Sequence, residues 1–238
     1  MADTHADVDD RSGLAGPPGL AGLIDHTILK PDASEVQVLE FCAEARTHGF
    51  RSVCVNSIHV PLVAEALRGS DVRTCSVVGF PFGAMPADVK AAETARAVAN
   101  GADEIDMVIA IGALKEGRDD RVRHDIAAVR AACPGIVLKV IIETCLLSDD
   151  QKRRVCRIAR EEGADFVKTS TGYSTSGATA ADIALMRAEV GPDMGVKASG
   201  GVRTREAAEA MIAAGATRIG SSSGIAIVGA GAAAAGTY

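Results

Sequence analysis

The chain is expected to fold as a single (β/α)8 TIM barrel, an α/β architecture, on three observations. Eight short strand-like runs alternate with longer runs of helical periodicity, no shift of composition marks a domain boundary, and the length is 238 residues. One barrel typically needs ~250 residues. A doubly wound open sheet is the other arrangement that such an alternation allows.

Taken in order, residues 1–19 are acidic, polar and rich in Gly and Pro, with no basic start or apolar centre of a signal peptide. They are expected to be a disordered extension. The barrel is expected over 20–228. Its strands fall at 23–29, 51–56, 73–80, 104–109, 137–143, 165–170, 195–199 and 217–221. The helical segments lie at 34–48, 58–68, 86–100, 118–132, 148–162, 180–190 and 204–214, with apolar positions every three or four residues. Ser34 and Ser148 suit N-caps, and Thr204 stands two residues ahead of Glu206. Gly49, Gly101, Gly163 and Gly215 follow helices, where a left-handed residue is preferred. The joints N-G-A-D-E-I-D, E-G-A-D-F-V-K and A-G-A-T-R-I-G repeat one helix-to-strand solution. Residues 229–238 read as a flexible, low-complexity tail ending in Tyr238. A sharper expectation gives the Tyr238 phenol a proton-relay role at the barrel mouth.

Composition excludes several functions. A net charge of −6 argues against nucleic acid or anionic membrane as partner, so any phosphate site must be local. No apolar run approaches the ~20 residues of a membrane span. The six cysteines are scattered, with no C-x-x-C pair, and the five histidines are dispersed. This suits reduced thiols in a soluble, cytoplasmic protein without a metal site. With 47% hydrophobic and only 3% aromatic residues, the core must be aliphatic.

Strand parity carries the functional signal. Strands covered on both faces should be apolar on both. Here Val53 and Val55 oppose Ser52, Cys54 and Asn56, and Ile105, Met107 and Ile109 oppose Glu104 and Asp106. Leu138, Val140 and Ile142 oppose Lys139 and Glu143, while Val167 and Thr169 oppose Lys168 and Ser170. Val196 and Ala198 oppose Lys197 and Ser199, and Asp25 shares a face with Thr27. One face packs under helices; the other gathers Asp25, Asp106, Lys139, Glu143, Lys168 and Lys197 inside the barrel. Such charges must pair or neutralise, and Lys139 has Glu143 or Asp106 as candidate partners. A lysine desolvated among other cations favours the neutral, nucleophilic amine, which makes Lys168 the candidate nucleophile.

Three turns rich in Gly or Ser follow the last three strands, at 170–177, 199–202 and 220–224. Glycine lets backbone amides approach an anion, and barrels of this kind often hold phosphate after strands seven and eight. Arg203 reads as a surface residue at a helix start or a distant counter-charge, not as a ligand.

These residues bring a resemblance into view. L-I-D-H-T at 23–27, N-G-A-D-E-I-D-M-V-I at 100–109 and K-V-I-I-E-T-C-L-L at 139–147 are similar to the deoxyribose-phosphate aldolase family. So are F-V-K-T-S-T-G at 166–172, G-V-K-A-S-G-G-V-R-T at 195–204 and A-T-R-I-G-S-S-S-G at 216–224. The resemblance spans nearly everything but the two ends. It implies a TIM barrel that reversibly cleaves 2-deoxy-D-ribose 5-phosphate into D-glyceraldehyde 3-phosphate and acetaldehyde through a lysine Schiff base, with no cofactor. By motif, Lys168 is then the Schiff-base lysine, Lys197 its neighbour that favours the free amine, and Asp106 the proton donor and acceptor. Lys139 and Thr171 support them. The phosphate meets Gly172, Gly200, Gly201, Ser222 and Ser223, with Thr171 and Gly172 holding the substrate's far end. Small sugar phosphates and aldehydes are the expected partners, and a homodimer is the assembly allowed for. Ser57 stands where proline is common, Tyr173 where phenylalanine or lysine is frequent, and Ser221 where alanine or threonine is usual. These departures bear on substrate breadth. Another lysine-using sugar-phosphate aldolase and a non-catalytic phosphate-binding barrel remain as alternatives.

Overall fold

Eight parallel strands pair in chain order, and the eighth closes onto the first in a computed structural model that describes residues 19–229. The strands are β1 (Ile24–Ile28), β2 (Ser52–Val55), β3 (Arg73–Val78), β4 (Glu104–Val108), β5 (Val137–Ile141), β6 (Phe166–Lys168), β7 (Gly195–Ser199) and β8 (Arg218–Ser221). Around them run α1 (Glu35–His48), α2 (Val60–Ala66), α3 (Ala87–Ala99), α4 (Ile111–Lys115), α5 (Asp119–Ala132), α6 (Asp149–Glu161), α7 (Ala180–Val190), α8 (Arg205–Ala213) and α9 (Gly224–Val228). The fold is therefore the TIM barrel, not the open sheet. The N-terminal extension and the C-terminal tail with Tyr238 lie outside the described residues.

Local signals placed most elements. Ser34 and Ser148 each form a capping box, with Gln37 and Gln151 returning the bond, and the Thr204 hydroxyl accepts from the Ala207 amide. Gly49 closes α1 in the left-handed region at φ 66°. The short α4 and α9 escaped the periodicity, because five residues show too little of it. The first turn of the segment expected at 58–68 is instead part of a 3-10 turn at Ser57–His59.

Strand ends differ more. β6 stops at Lys168 rather than residue 170: the Thr169 N–H still donates to the Lys197 carbonyl, but the next bond across to β7 is made by the Thr169 side chain. Its hydroxyl donates to the Ser199 carbonyl at 3.0 Å and accepts the Ser199 N–H at 3.1 Å. β5 stops at Ile141, and Glu143 sits beyond it in the left-handed region at φ 55°. Glu143 therefore does not continue the Lys139 side of the strand, and it is not the Lys139 partner. The expected apolar faces are where the core lies: Val53, Val55, Ile105, Met107, Leu138, Val140, Val167, Val196 and Ala198 are all buried in the layer between strands and helices. Among the described residues, no helix is long and apolar enough to cross a membrane.

Candidate active site

Register decides which inward side chains meet. Asp106 pairs with Lys139 across β4 and β5, while Lys168, Lys197 and Arg218 stand side by side across β6, β7 and β8. Asp106 is the hub. Its Oδ1 accepts from Lys139 Nζ at 2.7 Å, and its Oδ2 accepts from Lys168 Nζ at 2.8 Å and Lys197 Nζ at 2.7 Å. Lys197 also donates to Asp25, and Arg218 bridges Asp25 and Glu104 at 2.8 Å each. Lys139 completes the network through Glu104 at 2.6 Å.

The balance of this network is the informative quantity. Four buried cations (Lys139, Lys168, Lys197 and Arg218) ion-pair with three buried carboxylates (Asp25, Glu104 and Asp106), and a fourth buried carboxylate, Glu143, lies near enough to Lys168 to feel its charge. The half-exposed Arg51 adds only more positive charge, 3.7 Å from Glu104. Buried charge without a partner is strongly disfavoured, and each of these groups has at least one. Burial alone pushes Asp106 up, but the Lys139, Lys168 and Lys197 ammonium groups outweigh it and hold the carboxyl well below the usual range. Asp25 is likewise held low against burial by Arg218, Lys197 and Lys139. Burial lowers Lys139 and Lys197, yet their carboxylates more than reverse this and keep both charged. Arg218 is raised in the same way. Lys168 is the remaining cation, and it contacts one carboxylate where Lys139 and Lys197 each contact at least two.

The sequence thus located Asp106, Lys139, Lys168 and Lys197, and they converge. It missed Arg218 as part of the network and Glu104 as its partner. The signal was available: Arg218 shares the inward parity of Gly220, whose Cβ position would lie 3.0 Å from Lys197 Cε. Two thiols also approach the hub. Cys54, Cys75 and Asp106 offer ligand atoms within 4.8 Å of one another. The Cys75 thiol donates to Asp106 Oδ1 at 3.3 Å. The three ammonium groups on the same carboxylate already supply the positive charge there.

The glycine-rich turns lie together at the carboxyl ends of β6 and β7. Gly172, Gly200 and Gly201 take φ of 87°, 84° and 78°, which only glycine adopts without strain. A Cβ on Gly200 would lie 2.9 Å from Gly177 Cα, and the Ala178 amide donates to the Gly200 carbonyl at 3.0 Å. Gly177, the last residue of the turn at 170–177, is thus what lets the two loops touch. The Ser170 and Ser199 hydroxyls are buried here with no hydrogen-bond partner among the described residues. Arg203, on the same loop as Gly201, is half-buried, and its Nε is buried without a partner among the described residues. Ser222 and Ser223 follow β8, half-buried, and the Ser223 amide donates to Ser221 Oγ at 3.0 Å.

Thr171 is placed differently from its expected role at the substrate's far end. Its amide and its hydroxyl both donate to the Glu143 carboxylate, and the hydroxyl accepts the Tyr173 N–H at 3.1 Å. It shapes the loop rather than presenting free donors. Burial raises Glu143, opposed by its bonds to Thr171 and by Lys168.

A closed parallel barrel with a lysine-rich centre and glycine turns at the carboxyl ends of its late strands defines a class of aldolase-like barrels. Comparison with known proteins settles which. A family profile described as DeoC/LacD family aldolase matches residues 20–230, and the chain belongs to that family. It is an aldolase, and so a lyase. It is 62% identical over 213 residues to a protein from Rhodospirillum rubrum named deoxyribose-phosphate aldolase, covering 90% of each chain. A protein of the same name from Brevibacillus brevis is 60% identical over 205 residues, which is 86% of this chain and 93% of that one. Among solved structures, the tetrameric deoxyribose phosphate aldolase from Aeropyrum pernix matches with a TM-score of 0.81 at 33% identity. That match covers 87% of this chain and 88% of the other.

Proposed function

We propose that the protein reversibly cleaves 2-deoxy-D-ribose 5-phosphate into D-glyceraldehyde 3-phosphate and acetaldehyde through a Schiff base on Lys168. The observation that carries this reading is the convergence of Lys168 and Lys197 on one oxygen of Asp106, the single carboxylate in ion-pair contact with Lys168 among the described residues. The deoxyribose-phosphate aldolase name of the relatives supports the substrate.

The steps follow from those positions. Lys168 sheds a proton, favoured by the fixed charge of Lys197, and its amine attacks the C1 aldehyde of the open-chain sugar. Loss of water leaves a protonated imine. Its cationic charge, shared between Nζ and C1, draws electrons from the C2–C3 bond. Asp106, directly or through a water, takes the C3 hydroxyl proton. The C2–C3 electron pair moves to the iminium, giving an enamine and releasing D-glyceraldehyde 3-phosphate. The same proton is returned to the enamine carbon, and water hydrolyses the imine to release acetaldehyde and regenerate the amine. Lys139 holds Asp106 in place from its other oxygen.

The phosphate is assigned to the backbone of Gly172, Gly200 and Gly201 and to Ser222 and Ser223, with Arg203 as counter-charge. The same reading makes the protein a cytoplasmic enzyme of deoxyribose phosphate degradation that needs no metal or other cofactor. It acts as a homodimer; size-exclusion chromatography with light scattering separates this from a tetramer like that of Aeropyrum pernix.

Borohydride added with substrate is expected to leave a stable adduct on the peptide carrying Lys168, found by mass mapping, and Lys168→Ala is expected to abolish turnover. Absence of a substrate-dependent adduct at Lys168 sinks the mechanism. Release of dihydroxyacetone phosphate in place of acetaldehyde from matched substrates would point to a ketose-phosphate aldolase instead.

A further inference from the structure

The inside of the barrel is chemically one-sided. Acidic and basic side chains come from β4 to β8 and from Asp25, whereas Leu29, Cys54, Cys75 and Val77 form a separate small apolar cluster with Phe80 packed against it. These residues lie on β1, β2 and β3 or just past their carboxyl ends. The cluster abuts the chemical centre, because the Cys75 thiol donates to Asp106, which in turn holds Lys168.

Tyr173 reaches this side from the β6 loop. Its hydroxyl donates to the Leu29 carbonyl at 2.8 Å, and its ring meets Phe80 edge-on at 5.4 Å between centroids and 90° between planes. Its amide donates to Thr171 Oγ1, and Thr171 is in turn fixed on the buried Glu143. One side chain therefore spans from β6 to the ends of β1 and β3, held at its tip, its edge and its root. Two features of this anchor are particular. Glu143 is the non-glycine residue that takes a left-handed φ among the described residues, a strain that persists only where surroundings hold it. A phenol bonded to a main-chain carbonyl is also more directional than a ring held by packing alone.

We propose that Tyr173 is a specificity-determining residue that roofs this apolar wall and limits the donor aldehyde to one with a small, apolar carbon next to its carbonyl. This rests on the Schiff-base reading above, in which the donor's α-carbon is carried on Lys168 beside Asp106. On this proposal a substituent on that carbon faces the Cys54 and Cys75 side chains and the alkyl groups of the cluster. A hydroxyl buried there without a partner is disfavoured roughly tenfold to a hundredfold. An added methyl group meets a ring that is partly exposed but held at its hydroxyl by Leu29 and along its edge by Phe80.

The test uses the full chain in the synthetic direction, with D-glyceraldehyde 3-phosphate as constant acceptor and acetaldehyde or propanal as donor. The ratio of kcat/KM for propanal to that for acetaldehyde is expected to rise roughly tenfold in Tyr173→Ala, where the roof is gone. In Tyr173→Phe, which keeps the ring and loses the bond to Leu29, it is expected to rise about threefold. A ratio within twofold of the unaltered protein in the Phe variant overturns the proposal, and that variant decides alone should the Ala variant be inactive. A change confined to the acceptor's phosphate dependence, with the donor ratio unmoved, overturns it as well. Failure of the underlying mechanism is distinct: the unaltered protein then gives no borohydride-trapped acetaldehyde adduct at Lys168. With the adduct present and the donor ratio unmoved, only the role of Tyr173 falls.

Discussion

A lysine inside a barrel is reactive or inert according to what surrounds it. Lys139 and Lys197 are each clasped by more than one carboxylate and stay charged, while Lys168 shares its single partner with both of them. Removing Lys197 tests this balance. Without Lys197, one ammonium fewer shares the Asp106 oxygen that holds Lys168. Lys197→Leu is expected to fold and to lose roughly a hundredfold or more of its turnover at neutral pH, with the rate recovering only as pH rises. An unchanged pH–rate profile would remove Lys197 from any part in freeing the amine. Asp106 is held well below the usual carboxylate range by the three ammonium groups around it, against burial, and so stays ionised as their shared partner.

At the scale of elements, the two loops after β6 and β7 are the decisive pieces, and glycine is what lets them meet. Gly200 has a left-handed φ of 84°, and any Cβ there would press on the backbone at Gly177, which cannot swing aside as a flexible side chain can. Gly200→Ala is expected to raise KM for the phosphorylated substrate at least about tenfold and to destabilise the fold by more than ~1 kcal/mol. Steady-state kinetics with phosphorylated and unphosphorylated acceptors and a urea titration measure the two effects. Equal losses on both acceptors would mean that the loop serves only stability. Helix boundaries were largely legible beforehand, because capping boxes and left-handed glycines are local. Strand ends were not. That the Thr169 hydroxyl bonds across to Ser199 depends on a strand 30 residues away.

For the whole molecule, the buried network ties stability to pH. Asp25 and Asp106 have folded values below the unfolded range, so the stability they contribute is complete above about 3.9 and is lost as pH falls through and below that value. The unfolded chain binds more protons in that interval, which sets the sign. Asp125 and Glu143, raised by burial, act oppositely just above it. Urea midpoints are expected to fall steeply below about pH 4, and less steeply in Asp106→Asn. Equal slopes in the two proteins would exclude Asp106 from the acid limb.

By itself the sequence determined the alternation of strands and helices, the apolar outer and polar inner faces of the strands, and the residue types of the chemical centre. All three are written in spacings of a few residues: Val140 between Lys139 and Ile141 needs no distant partner to declare which way it points. The tertiary structure alone decided the pairings. Only closure of the sheet makes Arg218 a neighbour of Asp25, 193 residues earlier, and only the barrel mouth brings Tyr173 back to Leu29 across 144. Glu143 shows the boundary between the two. Its parity placed it beside Lys139, but the chain turns left-handed after β5 and gives its carboxylate to Thr171 instead. Local preference fixes a side chain's face; register and closure, which sum over the whole chain, fix its partner.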